Sequence, residues 1–353
     1  MMRGEVPALR VTQHPSEPRL ARGLVVNRTP RGSAVVTITK SVGRSAGNKP
    51  IDVMAIQILL SKNAKDSGLT GPLAIDGIVT EPMLKAIEAF QAGPMKSKKP
   101  DGRIDVGGGT LKKLAAVVGT KTTYQMLRAC LSPTAVSTVT RPGDLSSTVS
   151  IIDAGTFLPL YDRQFGQLGA TAREGLTELV GFINADFDVM DVGWVAYMLA
   201  TVKHECANRW KPIREFGKGS GKDYGNPVTV KDAQGKSHTN TYYGRGYVQL
   251  TWQDNYKNLG NALGYGDELM INADKALEPE VAYKVMSYGM RNGSFSTKKH
   301  KLADYITDKT LDYKHARRII NLLDQYTTIA GYAEELEMLL RVSCYGSWSD
   351  TTK

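Results

Sequence analysis

The residues best suited to chemistry lie in VKHECANRWKPIREFG, residues 202–217. Val195, Met198, Leu199 and Val202 recur at helical spacing, and Glu205 continues that apolar face. A carboxyl on an apolar face resists ionisation, because desolvation penalises its charged form. A general acid working near neutral pH needs such a setting. Glu215 follows ten residues later, beyond the expected helix end, where a solvated carboxylate could serve as a base. Two carboxyls in opposed environments are what glycoside hydrolysis requires. Spacing alone also describes a pair of surface charges, so the pair needs support from elsewhere in the chain.

Two other chemistries fit less well. His204-Glu205 is half of a zinc motif, but the position where the second His belongs is Asn208. His14, His238, His300 and His315 show no ligand spacing, so no metal and no cofactor is expected. Cys206 lies two residues from His204 and points to a different helix face, so it reads as structural.

A second informative segment is NTYYGRGYVQLTWQDNYKNLG, residues 240–260. It interleaves aromatic rings, glycines and amide and hydroxyl side chains. Sugars bind by stacking on aromatic faces and by hydrogen bonds to polar side chains. The same composition suits a Tyr-rich hairpin packed on the core, and both readings stay open here.

The elements that must position these residues are mainly helical. One helix is expected over Thr171–Ala185, another over Val192–Glu205 and a last one over Ile329–Val342. Gly217–Tyr243, rich in Gly, Lys, Asn and Thr, reads as a long surface loop. Upstream, residues 48–118 read as a small helical module. Val53, Ile56, Gln57 and Leu60 share one helix face, and a second helix starts near Thr80 with Pro82 in its first turn. Asp76-Gly77 and Asp101-Gly102 mark turns that open two similar stretches, a weak internal repeat. Residues 119–159 are expected to form the linker, around the Ser/Thr/Pro-rich run 132–150. Residues 160–345 form the catalytic domain.

The chain has 353 residues, 41% of them hydrophobic and 23% charged, enough for several ordinary cores. Its net charge is +10, and residues 1–50 carry nine Lys or Arg against two acidic residues. Residues 1–47 therefore read as a basic arm, with a short strand at Ala34–Thr39. Such an arm suits a polyanion, or serves only solubility. Cys130, Cys206 and Cys344 form no disulfide framework, which fits synthesis in a reducing compartment. The first residues lack the apolar core of a secretory signal, and no stretch approaches a membrane span.

YYGRGYVQLTWQDNY closely resembles the signature of glycoside hydrolase family 19, which holds plant-type chitinases and many phage and bacterial wall lysozymes. Tyr242, Tyr243, Gly244, Arg245, Gly246, Gln249, Leu250, Thr251 and Asn255 match its pattern. His204-Glu205 matches the family's His-Glu pair, and Glu215 stands where the family places its base. ARRIIN, residues 316–321, resembles its Arg-Ile-Asn segment. The resemblance spans roughly residues 165–343. It implies an all-α, lysozyme-like two-lobed domain and an inverting mechanism. Glu205 would be the acid, Glu215 the base, and Thr251 would hold the attacking water. His204, Tyr242, Tyr243, Arg245, Gln249, Asn255 and Asn321 would contact the sugar. Inversion predicts carboxyls roughly 6.5–9.5 Å apart. Position 251 is Thr where chitinases usually have Ser, Tyr247 stands where they commonly have Pro, and their disulfides are missing.

Residues 48–118 resemble the three-helix peptidoglycan-binding module found beside wall hydrolases, through the V-x-x-I-Q-x-x-L helix, Asp76-Gly77 and Phe90-Gln91. Together the resemblances imply a monomeric phage-type lysozyme, with a bacterial chitinase and a non-catalytic wall-binding virion protein as the alternatives. Its partner would be bacterial peptidoglycan and not nucleic acid, and the basic arm would touch an outer membrane or another anionic surface. It would reach the wall from the host cytoplasm at lysis, or travel in the virion.

Overall fold

The computed structural model describes residues 36–131, 151–189, 191–307 and 309–345. The chain is mainly helical and divides into two compact units. Of these, one comprises residues 36–131, 151–167 and 334–345, the other residues 168–189, 191–307 and 309–333.

The first unit contains β1 (Val42–Gly43), α1 (Pro50–Lys62), α2 (Glu81–Ala92), β2 (Arg103–Ile104), α3 (Gly109–Ala115), α4 (Thr123–Cys130), β3 (Ile151–Ile152) and α5 (Ala154–Phe165). β1 pairs antiparallel with β2. Helix α1 is not amphipathic in place: Pro50 and every residue from Asp52 to Leu60 are buried. Its neighbours explain this, since α2, α3, α4 and α5 all pack against it. A helix apolar all round has to be covered all round.

The two Asp-Gly turns are built alike. Gln57 Nε2 donates to Asp76 Oδ1 (2.8 Å) and to the Ile78 carbonyl (2.9 Å). Its Oε1 accepts from the amides of Asp76 and Gly77 (3.2 and 3.1 Å). Gln91 repeats the pattern: Nε2 reaches Asp101 Oδ1 (2.7 Å) and the Arg103 carbonyl (2.8 Å), and Oε1 accepts from the amides of Asp101 and Gly102 (both 3.0 Å). Gly77 and Gly102 both have positive φ, 70° and 66°, which the turn demands. The weak sequence repeat is therefore a repeated structural device, a buried glutamine clamping a turn.

The module's expected boundaries change at both ends. Residues 36–47 belong to it and not to an arm. Val36, Ile38 and Val42 are buried, and the buried Asp52 carboxylate accepts from Thr39 N, Thr39 Oγ1 and Lys40 N, each at 2.8 Å. No strand forms over the described part of Ala34–Thr39; the strand is β1. Residues 1–35 lie outside the described residues. The expected linker, 119–159, is largely structured where it is described. Thr122 caps α4 through a reciprocal box with Gln125, and β3 and α5 follow residue 150. Residues 132–150 lie outside the described residues. The unit exceeds three helices because α1 needs α4 and α5 as cover.

The second unit contains α6 (Ala170–Ala185), α7 (Val192–Glu205), β4 (Ile213–Arg214), β5 (Val228–Lys231), β6 (Ser237–Asn240), β7 (Arg245–Gly246), α8 (Gln253–Ala262), α9 (Glu268–Ile271) and α10 (Pro279–Asn292). Helix α11 (Tyr326–Ser343) begins in it. From Glu334 onward, with β8 (Cys344–Tyr345) paired to β3, the chain belongs to the first unit. There Glu337, fully buried, accepts from Arg128 Nε (2.9 Å), Arg341 Nε (2.8 Å) and the Tyr124 hydroxyl. The expected catalytic range of 160–345 thus contributes both of its ends to the first unit. The expected surface loop 217–243 contains an antiparallel hairpin, β5–β6, stitched by Thr229 and Thr239 (Oγ1–Oγ1 3.0 Å).

Candidate active site

Helix α7 presents the candidate acid. The Asp191 side chain caps it by accepting from Trp194 N (3.0 Å), and nearly all of its residues are buried. It stops at Cys206, where Ala207 and Asn208 turn into the left-handed region with φ of 48° and 65°. Glu205 sits in the last turn, buried as expected. The expectation of a purely apolar setting is corrected, however. Arg317 Nη1 lies 2.7 Å from Glu205 Oε1, and the Arg317 side chain is 0% exposed. A carboxylate at a helix C-terminus faces the negative end of the helix dipole. A buried guanidinium supplies the counter-charge that neither the helix nor water provides.

Glu215 lies in the loop after β4, partly exposed, as expected of a base. It is held beside the antiparallel pair of β4 and β7, with Ile213 opposite Gly246 and Arg214 opposite Arg245. Its amide donates to the Gly244 carbonyl (2.7 Å). Its carboxylate accepts from the Gly244 amide (Oε2, 3.0 Å) and from the Tyr224 hydroxyl (Oε1, 2.8 Å). Burial pushes the Tyr224 phenol above its ordinary range and the bond to Glu215 adds to that, so Tyr224 stays a proton donor at neutral pH.

The same strand pair touches the end of α7. Cys206 Sγ lies 3.8 Å and 3.7 Å from the carbonyls of Gly246 and Tyr247. Gly246 has φ of 86°, and a Cβ there would stand 2.8 Å from the Ala276 carbonyl, so only glycine fits this approach. Arg245 and Leu250 exchange both backbone hydrogen bonds (3.1 and 2.8 Å), which closes the turn that carries Gln249 and leads into Thr251. Burial pushes the Cys206 thiol up, which agrees with a structural role.

Thr251 is buried, and its hydroxyl makes no hydrogen bond among the described residues. The next residue, Trp252, has φ of 69° and meets the Tyr224 ring edge-on, with centroids 5.4 Å apart. Through Tyr224, the Thr251 segment is therefore tied to Glu215. Asn255 donates from Nδ2 to the Thr251 carbonyl (2.9 Å) one turn along α8. Asn321 is buried, and its amide donates to the Arg317 carbonyl (2.9 Å), which places it beside the partner of Glu205. His204 is half-buried at the same helix end.

Several expected sugar contacts are instead part of the segment's own framework. The Tyr242 hydroxyl is buried and donates to the Met270 carbonyl (2.8 Å). Arg245 donates to Asp274 Oδ1 (2.7 Å) and to the carbonyls of Thr241 and Tyr243, and its guanidinium lies 3.6 Å over the Tyr243 ring. Tyr243 is buried beneath it. The Gln249 amide nitrogen donates to the carbonyls of Ile213 and Gly246 (3.3 and 3.2 Å). The physical reason is common to Tyr242, Arg245 and Gln249: buried backbone turns need their carbonyls satisfied, and these side chains satisfy them, while Tyr243 packs under the Arg245 guanidinium. Tyr242, Tyr243 and Arg245 are buried, and the Tyr242 hydroxyl and the Arg245 guanidinium are engaged within the unit.

Three residues of the site went unread in the sequence. Arg317 lies inside the quoted ARRIIN segment, where one of two adjacent arginines turns inward. Tyr224 sits in a stretch whose Gly and Lys content signals solvent. Trp252, between Thr251 and α8, is the third.

No family model matches the chain. It is 48% identical over 44 residues to the acidic 26 kDa endochitinase of Solanum lycopersicum; that stretch is 12% of this chain and 17% of the endochitinase, so the chain spans about a sixth of that relative's length. Among solved structures it is similar to chitinase C from Streptomyces griseus HUT6037, at 26% identity and a TM-score of 0.22, covering 39% of this chain and 63% of that one. A point mutant of chitinase C is similar at 22% identity and a TM-score of 0.23, covering 50% and 90%.

Proposed function

We propose that the chain is a glycoside hydrolase that cuts the β-1,4 bonds between N-acetylmuramic acid and N-acetylglucosamine in peptidoglycan. The observation that carries this is two carboxyls with opposed settings, one ending α7 and one following β4, with Cys206 next to Glu205 and Glu215 itself both set against residues 244–247. Glu205 is buried against Arg317, and Glu215 is half-open and held by two donors. Glu205 delivers its proton to the leaving glycosidic oxygen as the C1–O bond breaks. Water attacks C1 from the opposite face and gives its proton to Glu215, while the free Thr251 hydroxyl holds that water. Arg317 faces the negative charge that Glu205 acquires on losing its proton, so its attraction grows along the reaction coordinate.

The buried-glutamine module, with its two clamped turns, is the proposed wall-binding part. The basic segment before it is the proposed contact with an anionic envelope. A phage lysis or virion role fits these parts. Chitin hydrolysis is the second reading, favoured by the likeness to chitinases. A non-catalytic wall-binding protein is the third. Glu205→Gln and Glu215→Gln decide between enzyme and binder: each should abolish release of new reducing ends from glycan. Unchanged release in both would end the hydrolase reading.

A further inference from the structure

Among the described residues of the second unit, the exposed large apolar side chains are Phe187, Phe216, Leu322, Leu323 and Tyr326. Single exposed apolar residues are ordinary, but four of these five closely follow site residues in the chain. Phe216, 80% exposed, follows Glu215 directly, and Leu322, Leu323 and Tyr326 follow Asn321 within five residues. Leu322 is doubly unfavourable. It is 64% exposed, and its φ of 33° is a region a bulky side chain seldom adopts. Such strain persists only where the surroundings enforce it, and it concentrates at functional sites.

Arg317 ties this loop to the candidate acid. While one nitrogen faces Glu205, Nε donates to the Asp324 carbonyl (2.9 Å). The loop 322–325 is thus one guanidinium away from the candidate acid, with its leucines in water. A polysaccharide of N-acetylglucosamine alone offers such a surface little beyond sugar faces. Peptidoglycan differs by the lactyl ether and short peptide on every second sugar, whose alanine methyls are apolar. The exposed acid Asp324 beside Leu323 argues against an anionic bilayer as the occupant.

We infer that the Leu322–Leu323 loop is a specificity element that contacts the apolar part of the peptide stem next to the cleaved bond. This rests on the hydrolase reading for the position of that bond, and the test separates the two. The probes are stem-bearing glycan strands, the same strands stripped of stems by an amidase, and chitin oligosaccharides. Binding is measured in a Glu215→Gln background with and without Leu322→Ser/Leu323→Ser, and kcat/KM in the active protein. The leucine changes should weaken binding of stem-bearing strands by about tenfold, as expected for withdrawing part of two leucine side chains from contact. The ratio of kcat/KM on stem-bearing to stripped strands should fall similarly, through KM. An equal loss on all three probes would make the loop merely structural and overturn the inference. So would unchanged binding of stem-bearing strands, or a loss confined to sedimentation with anionic vesicles. If the active protein hydrolyses nothing, the hydrolase reading fails, and the binding arm still decides the loop.

Discussion

Removing one member of the Glu205–Arg317 pair should cost more than removing both. Glu205 is buried, Arg317 is wholly buried, and they meet at 2.7 Å. Arg317→Met leaves a carboxyl in a dry helix terminus with its counter-charge gone. Glu205→Gln leaves a buried guanidinium without its counter-charge, still donating to the Asp324 carbonyl. Breaking a buried pair this way typically costs about 3–5 kcal/mol, whereas replacing both partners with uncharged groups is often neutral. The double variant should therefore be more stable than either single one, with a coupling energy above about 2 kcal/mol. The assay is urea unfolding followed by tryptophan fluorescence, because Trp194, Trp210 and Trp252 all lie in the second unit. Singles whose costs simply add, with coupling below about 0.5 kcal/mol, would refute the pairing as the support of Glu205.

Three further outcomes follow from other contacts. Gln57→Ala removes four hydrogen bonds from a clamped turn and leaves buried amides unpaired, so the first unit should lose about 3 kcal/mol in denaturant unfolding, with Gln91→Ala behaving alike. Tyr224→Phe deletes the hydroxyl donor to Glu215 and should lower kcat about tenfold with little change in KM, checked by steady-state kinetics on glycan strands. Burial raises Asp274, but hydrogen bonds from Arg214 and Arg245 outweigh it and hold its carboxyl below the ordinary range. Its contribution is then present above the ordinary carboxylate range and lost as pH falls through the lowered value. Asp274→Asn should accordingly cost under about 1 kcal/mol at neutral pH, since the carboxylate is half exposed, and the deficit should shrink in thermal melts taken at progressively lower pH.

Local signals were legible where they were strong. Helix α7 runs over the expected Val192–Glu205 because an Asp cap, unbroken helical spacing and a left-handed stop coincide there. The buried position of Glu205 followed from that spacing, and the loop position of Glu215 from the helix end. Arg317 was hidden because an inward arginine has no sequence mark; only the fold decides which of two neighbouring arginines meets a buried carboxyl. Tyr242 and Arg245 look like ligand-binding residues in sequence because the groups that satisfy backbone carbonyls are the same groups that bind sugars. The module's edges shifted because a helix buried on every side recruits cover from distant segments, here α4 and α5.

The most direct measurement is product identification from purified peptidoglycan and colloidal chitin, each incubated with the wild type and with Glu205→Gln. Muropeptides with a new reducing muramic acid end, released by the wild type and absent with Glu205→Gln, are the predicted result. Fragments from chitin alone would move the substrate to the second reading, and muropeptide release undiminished by Glu205→Gln would contradict the assignment of Glu205 as the acid.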